Sequence, residues 1–378
     1  MINIFQPNIG VNEIKNIKQV FDSKWLGKGD FVSKFEFEFS KHLNSNPQNF
    51  TTVSNCSEGL FLAGRFFDFN SNDEIIAPSI SFHAVGNSII SQKSKMILCD
   101  VDRRTLNTTA ELIQRKISPK TKAVIITHYG GLPSELEDIV NLCKDSNILL
   151  IEDSATCPKS FYKGKAVGTF GDMGLWSFDA MKIITTGDGG MIYLNEAHNM
   201  DKLKQQSYLG LRNKTKSGID SVKDGANRWW EFQIDYPANR SIMNNIAGAM
   251  GLAQLESLDH RLNRRKKIYD IYSTELMDVK DLVIPPPIPE YITSSYYMFW
   301  IQTAFRDELA NFLYNKGIYT TYRYFPLHRI KYFNNFTDEL QNSDYVADNT
   351  LNIPLHDSLS DSDVDYIIQS VKQYFSRV

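Results

Sequence analysis

Between Thr51 and Asn195, short apolar runs alternate with helical stretches, and this alternation restricts the fold more than any other feature of the 378 residues. Glu74-Ile-Ile-Ala, Lys95-Met-Ile-Leu-Cys, Ala123-Val-Ile-Ile, Ile148-Leu-Leu-Ile and Gly190-Met-Ile-Tyr-Leu are too short for buried helices and are followed by turn-forming residues. They read as strands. Their apolar character is continuous rather than alternating, which requires burial on both faces. With helices between them, that means a mainly parallel sheet inside an α/β sandwich, a fold that collects ligands at the carboxyl ends of its strands.

The flanking segments extend this picture. Ile14, Ile17, Val20 and Phe21 recur at helical spacing and predict an N-terminal helix leading into the loop Trp25-Leu-Gly-Lys-Gly. Leu255, Leu258 and Leu262 mark a longer helix running toward Arg265-Lys-Lys. The Pro285-Pro-Pro-Ile-Pro tract interrupts regular structure, because proline lacks an N–H and restrains its predecessor. Beyond it, Met298-Phe-Trp-Ile reads as a strand and Arg306 to Asn315 as a helix stopped at Gly317. Val364, Ile367, Ile368, Val371 and Tyr374 form the stripe of a final amphipathic helix, capped by Ser360 with Asp363. The expected division is a large domain over residues 1–245 and, over 246–378, a linking helix with a smaller domain.

Lys and Arg total 41 against 44 Asp and Glu, a net charge of −3, which gives no electrostatic reason for a nucleic-acid or acidic-membrane partner. The opening MINIFQPNIG has neither the basic start nor the apolar core of a signal peptide, and no apolar run approaches a bilayer span. Cys56, Cys99, Cys143 and Cys157 contain no C-x-x-C pair and read as reduced, buried or site-lining thiols. The expected compartment is the cytoplasm. His83, His128, His328 and His356 show no zinc-motif spacing, so no metal is expected, and taken singly they read as structural.

The chemistry lies between Ile151-Glu-Asp-Ser-Ala and Gly187-Asp-Gly-Gly-Met. Asp153 ends an apolar strand, and Lys182 follows Trp176-Ser-Phe-Asp-Ala-Met. Singly, such a lysine is a surface residue and such an acid a helix cap. Together they suit pyridoxal phosphate. An enclosed lysine amine, its pKa lowered by partly apolar surroundings, attacks the aldehyde to form a Schiff base, and a carboxylate facing the pyridine nitrogen keeps that nitrogen protonated. The phosphate needs small hydroxyls and free amides at a helix start, which Ser54-Asn-Cys-Ser57-Glu-Gly supplies ahead of Leu60-Phe-Leu-Ala; Ser177 adds a hydroxyl. Phe82, after a strand, is either a ring stacked on the cofactor or a core aromatic.

With these residues in place, the chain resembles the DegT/DnrJ/EryC1/StrS aminotransferases. The resemblance runs from Ile14 nearly to the C-terminus through Trp25-Leu-Gly-Lys-Gly, Asp73-Glu-Ile-Ile-Ala-Pro, His128-Tyr-Gly-Gly, Glu152-Asp, Gly171-Asp-Met-Gly, Ser177-Phe, Lys182, Gly187-Asp-Gly-Gly, Gly251-Leu-Ala-Gln-Leu-Glu and Tyr324-Phe-Pro-Leu-His. It implies the α/β architecture of aspartate aminotransferase, fold type I: a large domain with a mainly parallel sheet between helices, plus a smaller C-terminal α+β domain. It also implies pyridoxal 5'-phosphate as cofactor and a homodimer with shared active sites. Lys182 is then the Schiff-base lysine, Asp153 the partner of the pyridine nitrogen, Phe82 the stacking ring, and Cys56, Ser57 and Ser177 phosphate ligands. Trp25, Arg323, Tyr324 and His328 fall on the substrate side, where Arg323 meets a donor carboxylate.

Two positions depart from the family pattern. Thr156 stands beside the cofactor where Gln or His is usual. Arg240, next to Asn239, stands where an asparagine reaches the neighbouring subunit's phosphate; it is a phosphate ligand or a surface arginine. Arg228-Trp-Trp-Glu-Phe contacts a sugar or anion, or fills an interface, and packing is the favoured reading. The expected activity is transfer of an amino group from L-glutamate to a keto or aldehydo sugar, nucleotide-linked or a free sugar acid. The resemblance places such amino sugars in surface polysaccharide, lipopolysaccharide or antibiotics. The alternatives are a small phosphorylated ketone as acceptor and a related sugar 3-dehydratase, which has His in place of the lysine at 182.

Overall fold

Phe50–Val53 (β1), Glu74–Pro78 (β2), Lys95–Cys99 (β3), Thr121–Thr127 (β4) and Leu149–Asp153 (β5) are followed by a short hairpin, Phe161–Tyr162 (β6) and Lys165–Ala166 (β7), then by Met173–Ser177 (β8) and Gly190–Leu194 (β9). This is a computed structural model, and it describes residues 1–211, 228, 230–333 and 339–377. Seven of the strands form one sheet in the order β1-β9-β8-β5-β4-β2-β3. All its pairs are parallel except those of β9, which runs antiparallel to β1 and β8.

The continuous apolar runs have the predicted cause. Ala123 and Ile125 of β4 join the core beneath the helices Cys56–Phe66 and His83–Ser91, while Val124 and Ile126 join the core against Leu136–Asp145 on the other face. Val124, Ile125 and Ile126 each contribute about 1.5–3 kcal/mol by leaving water, so a polar residue on either face would be destabilising.

Two strands of the seven-stranded sheet escape the apolar-run criterion. β8 carries Gly174, where a Cβ would come 1.8 Å from the Gly168 carbonyl oxygen, so close backbone approach fixes that residue. β1 contains Thr51 and Thr52, both fully buried. Thr52 donates its N–H and its hydroxyl to Glu36 Oε1, each at 2.7 Å, from the helix Asp30–His42.

The N-terminal helix is present as Val11–Ser23, but its stripe is split: Val20 is fully buried, whereas Ile14 is 68 % and Phe21 56 % exposed. The predicted long helix is two, Asn245–Glu256 and Leu258–Leu276, parted at Ser257. The first packs on both N-terminal helices, close enough that a Cβ on Gly248 would come 2.8 Å from the Val32 nitrogen. A separate core, running from Ile268 through Phe299 and Ile301 to Val371, joins the strands Phe299–Gln302 and Thr350–Ile353 to the helices Arg306–Asn315 and Asp361–Phe375. Ser360 and Asp363 form the predicted capping box. Among the described residues no helix is long and apolar enough to cross a membrane.

Candidate active site

The strand ends meet along one edge of the sheet. Val53, Gly190 and Ser177 are in register across β1, β9 and β8, and Leu175, Asp153 and Thr127 across β8, β5 and β4. A cavity of about 450 Å³ opens there, a size suited to a small-molecule site.

Lys182 enters it from the turn after β8, where its N–H donates to the Asp179 carbonyl at 2.9 Å. Its Nζ lies 5.1 Å from the centre of the Tyr297 ring. Burial works against the ammonium, as expected for an enclosed lysine, but Tyr297, Tyr324 and Asp153 outweigh it, so the Lys182 pKa is held above its ordinary value rather than lowered. Burial pushes the Tyr324 phenol up to about 12, so it stays protonated at neutral pH.

Asp153 is 4 % exposed, and its Oδ1 accepts the Ala155 N–H at 3.1 Å. Burial raises its pKa, and the Ala155 N–H, Lys182 and His128 offset this only in part. It is therefore a buried carboxylate short of positive charge, which a pyridinium nitrogen would supply.

At the other end of the cavity the helix Cys56–Phe66 begins. Asn55 caps it by accepting the Glu58 N–H at 2.7 Å. The remaining first-turn amides have no intrahelical acceptor and face an anion favourably. Gly190 lies against this turn; a Cβ there would come 2.7 Å from the Cys56 nitrogen. Burial pushes the Cys56 thiol well up, so it is neutral. An amine, a buried carboxylate lacking a cation and helix amides for a dianion fit pyridoxal phosphate, and Thr127 Oγ1 adds a buried polar atom without a partner beside them.

Cys56, Ser57, Phe82, Asp153, Thr156, Ser177, Lys182, Arg323 and Tyr324 all line the cavity. Phe82 is 37 % exposed, with its ring 5.8 Å from that of Tyr324, so it is not a core aromatic. Thr156 donates its hydroxyl to the His128 carbonyl at 3.0 Å. Four predicted residues lie elsewhere. Trp25 is 52 % exposed and donates Nε1–H to the Lys28 carbonyl at 3.0 Å. His328 is held between Ser79 Oγ at 2.6 Å and Asp344 Oδ1 at 3.0 Å. Asn239 and Arg240 are exposed, and the Arg240 guanidinium lies 5.8 Å from the Tyr208 ring. In the Arg228 segment Trp229 is outside the described residues, and Trp230 is 56 % exposed.

Sequence reasoning missed Asn55, Thr127, Asp179, Met181 and Asp188 as lining residues. Of these, Thr127 follows directly on the predicted strand Ala123-Val-Ile-Ile, and its residue type alone does not mark it as facing a ligand. The four cysteines are all buried free thiols. Among the described residues no group of three or more His, Cys, Asp or Glu side chains is placed to hold a metal ion.

Known proteins resemble this chain along almost its whole length. Residues 7–372 match the DegT/DnrJ/EryC1/StrS aminotransferase family. The dTDP-4-dehydro-2,3,6-trideoxy-D-glucose 4-aminotransferase of Saccharopolyspora spinosa is 40% identical over 366 residues, 96% of this chain and 94% of that one. GDP-perosamine synthase of Escherichia coli is 33% identical over 379 residues, 99% of each chain. The crystal structure of the aminotransferase TlmJ from Streptoalloteichus hindustanus has a TM-score of 0.94 at 40% identity, with 100% of this chain and 99% of that one covered. The chain belongs to the DegT/DnrJ/EryC1/StrS aminotransferase family and is a pyridoxal-phosphate-dependent aminotransferase of fold type I.

Proposed function

We propose that this enzyme moves an amino group from L-glutamate to the keto carbon of a nucleotide-linked deoxysugar, with Lys182 and Asp153 as its catalytic pair. The observation that carries the reading is the meeting of Lys182, Asp153 and the start of the helix Cys56–Phe66 at one cavity. The relatives named for dTDP- and GDP-linked sugar chemistry support a nucleotide-linked acceptor.

When bound, pyridoxal phosphate supplies an electron sink for the pair left behind as the donor's Cα–H bond breaks. As the uncharged amine, Lys182 Nζ would take the Cα proton and return it at the cofactor's aldehyde carbon. Asp153 would hold the proton on the ring nitrogen. Arg323 receives the donor's carboxylate: its Nη2 rests on Met181 Sδ at 3.0 Å and its guanidinium lies 4.8 Å from the Phe5 ring centre, so among the described residues no carboxylate occupies it. Lys182 in place of the dehydratase's histidine favours transfer over dehydration.

The active unit in this reading is a two-fold dimer in which Asn239 and Arg240 reach the partner's phosphate site. Their exposure in the single chain supports it, as does the uncovered face of Val11, Ile14 and Phe21. Mixing Arg240→Ala with Lys182→Ala subunits restores about half the activity per dimer if Arg240 acts across the interface. Verified subunit exchange with no recovery refutes that role. The acceptor is tested by loading the protein with glutamate and following the return of the visible band on adding dTDP- or GDP-linked 4-keto sugars, a free keto-sugar acid or a triose phosphate. A response confined to the triose phosphate overturns the sugar reading.

A further inference from the structure

We propose that Thr127 is a further cofactor-binding residue, its hydroxyl meeting the edge of the pyridoxal ring that carries the phenolic oxygen. Thr127 ends β4 and stands opposite Asp153 in the parallel pair. Its side chain lines the cavity and is 7 % exposed, yet Oγ1 has no hydrogen-bond partner. A buried hydroxyl left unpaired is costly, and such groups mark places where something else binds. Because this hydroxyl holds no bond, turning χ1 to another staggered well breaks none.

The strand order says which part of the cofactor it meets. The helix start at Cys56 follows β1, Gly190 begins β9 and Ser177 ends β8, so the phosphate side lies on that flank of β5. Thr127 lies on the opposite flank. The ring carries its phosphate arm and its oxygen on opposite edges, either side of the ring carbon that bears the aldehyde. With the ring nitrogen at Asp153 and the phosphate toward Cys56, the assignment on which this inference rests, the oxygen edge faces β4.

Neighbouring donors there are committed. The Thr156 hydroxyl donates to the His128 carbonyl. His128 Nδ1 accepts the Ser134 N–H at 3.1 Å, so its proton is on Nε2, which faces Glu152 Oε2 at 3.2 Å. Of the Thr127, His128 and Thr156 side chains, only that of Thr127 keeps a free donor. A donor on the phenolic oxygen stabilises its anion and so lowers the pH at which the neighbouring Schiff-base nitrogen loses its proton.

The test compares Thr127→Val, which keeps the shape, with Thr127→Ser, which keeps the hydroxyl. Cofactor affinity is measured by equilibrium dialysis, the visible band of the loaded protein is titrated with pH, and apoprotein melting is recorded. Thr127→Val should weaken pyridoxal phosphate binding roughly tenfold and move the band's midpoint up by about one pH unit. Its apoprotein should melt no lower than wild type, because the hydroxyl it loses is unpaired. Thr127→Ser should stay near wild type in all three. Unchanged affinity and midpoint in Thr127→Val overturn the proposal, and so does Thr127→Ser shifting as far as Thr127→Val, which would assign the effect to strand packing. A wild-type protein that develops no visible band at all refutes the cofactor placement before any variant is compared, and the proposal falls with it.

Discussion

Replacing Glu152 by glutamine tests how the wall beside Asp153 is held. The fully buried carboxylate accepts from four donors: Oε1 takes the N–H groups of Phe170 and Gly171, each at 2.7 Å, and Oε2 takes the Gly168 N–H at 2.8 Å and faces His128 Nε2 at 3.2 Å. Glutamine keeps the shape but has one acceptor oxygen. If that oxygen serves Phe170 and Gly171, the amide confronts Gly168 and His128; turned over, it confronts the other two. Two buried donors lose their acceptor either way. At about 1–3 kcal/mol per stranded donor, Glu152→Gln should lower unfolding stability by roughly 2–6 kcal/mol. Urea unfolding of the apoprotein at fixed concentration reads this, provided the dependence on urea keeps its wild-type slope. A loss below about 1 kcal/mol would mean that water or loop movement replaces those bonds, and the reasoning that Glu152 ties the Gly168–Gly171 turn to His128 would fail.

Lys182→Ala should bind pyridoxal phosphate without the visible band, keep no cofactor after borohydride treatment and lose turnover; a variant that transaminates at the wild-type rate contradicts the assignment. Asp153→Asn should trade activity for apoprotein stability, with a pH dependence of known sign. Burial raises the Asp153 pKa, so between the ordinary and the folded value the native protein holds a proton that the unfolded chain has released. That contribution is full below the ordinary carboxylate range and is lost as pH rises through the folded value. The variant should therefore melt above wild-type apoprotein at neutral pH, with the gap closing on acidification, and should transaminate far more slowly. A gap that widens in acid would show that the Asp153 carboxylate is stabilised by the fold.

How much of the fold could be read in advance depended on where each residue finds its partner. β2 to β5 were legible because both their faces are apolar, so the strand itself states its environment. β1 is as deeply buried, but its threonines are satisfied by Glu36 on a preceding helix, and nothing within Phe50-Thr-Thr-Val says so. Helical periodicity likewise located Val11–Ser23 but not what covers it: Val20 is fully buried, whereas Ile14 and Phe21 on the same stripe are exposed in the single chain.

The site divides along the same physical line. Asp153, Lys182 and Ser57 each carry chemistry that a strand end, an enclosed turn or a helix start makes available locally, and the cavity gathers them. Trp25 and His328 have suitable chemistry too, but the Lys28 carbonyl and the Ser79 and Asp344 side chains already use it. Thr127 is the converse. Within Ala123-Val-Ile-Ile-Thr it looks like one more β-branched strand residue, chosen for its fit to a pleated surface. Only the lateral register with Asp153, together with a hydroxyl that no neighbour satisfies, sets it apart. Residue type states what a side chain can donate or accept. Whether that capacity is spent inside the protein or left for a ligand depends on contacts between strands far apart in the chain, which is why the unspent donor on β4 became visible only in three dimensions.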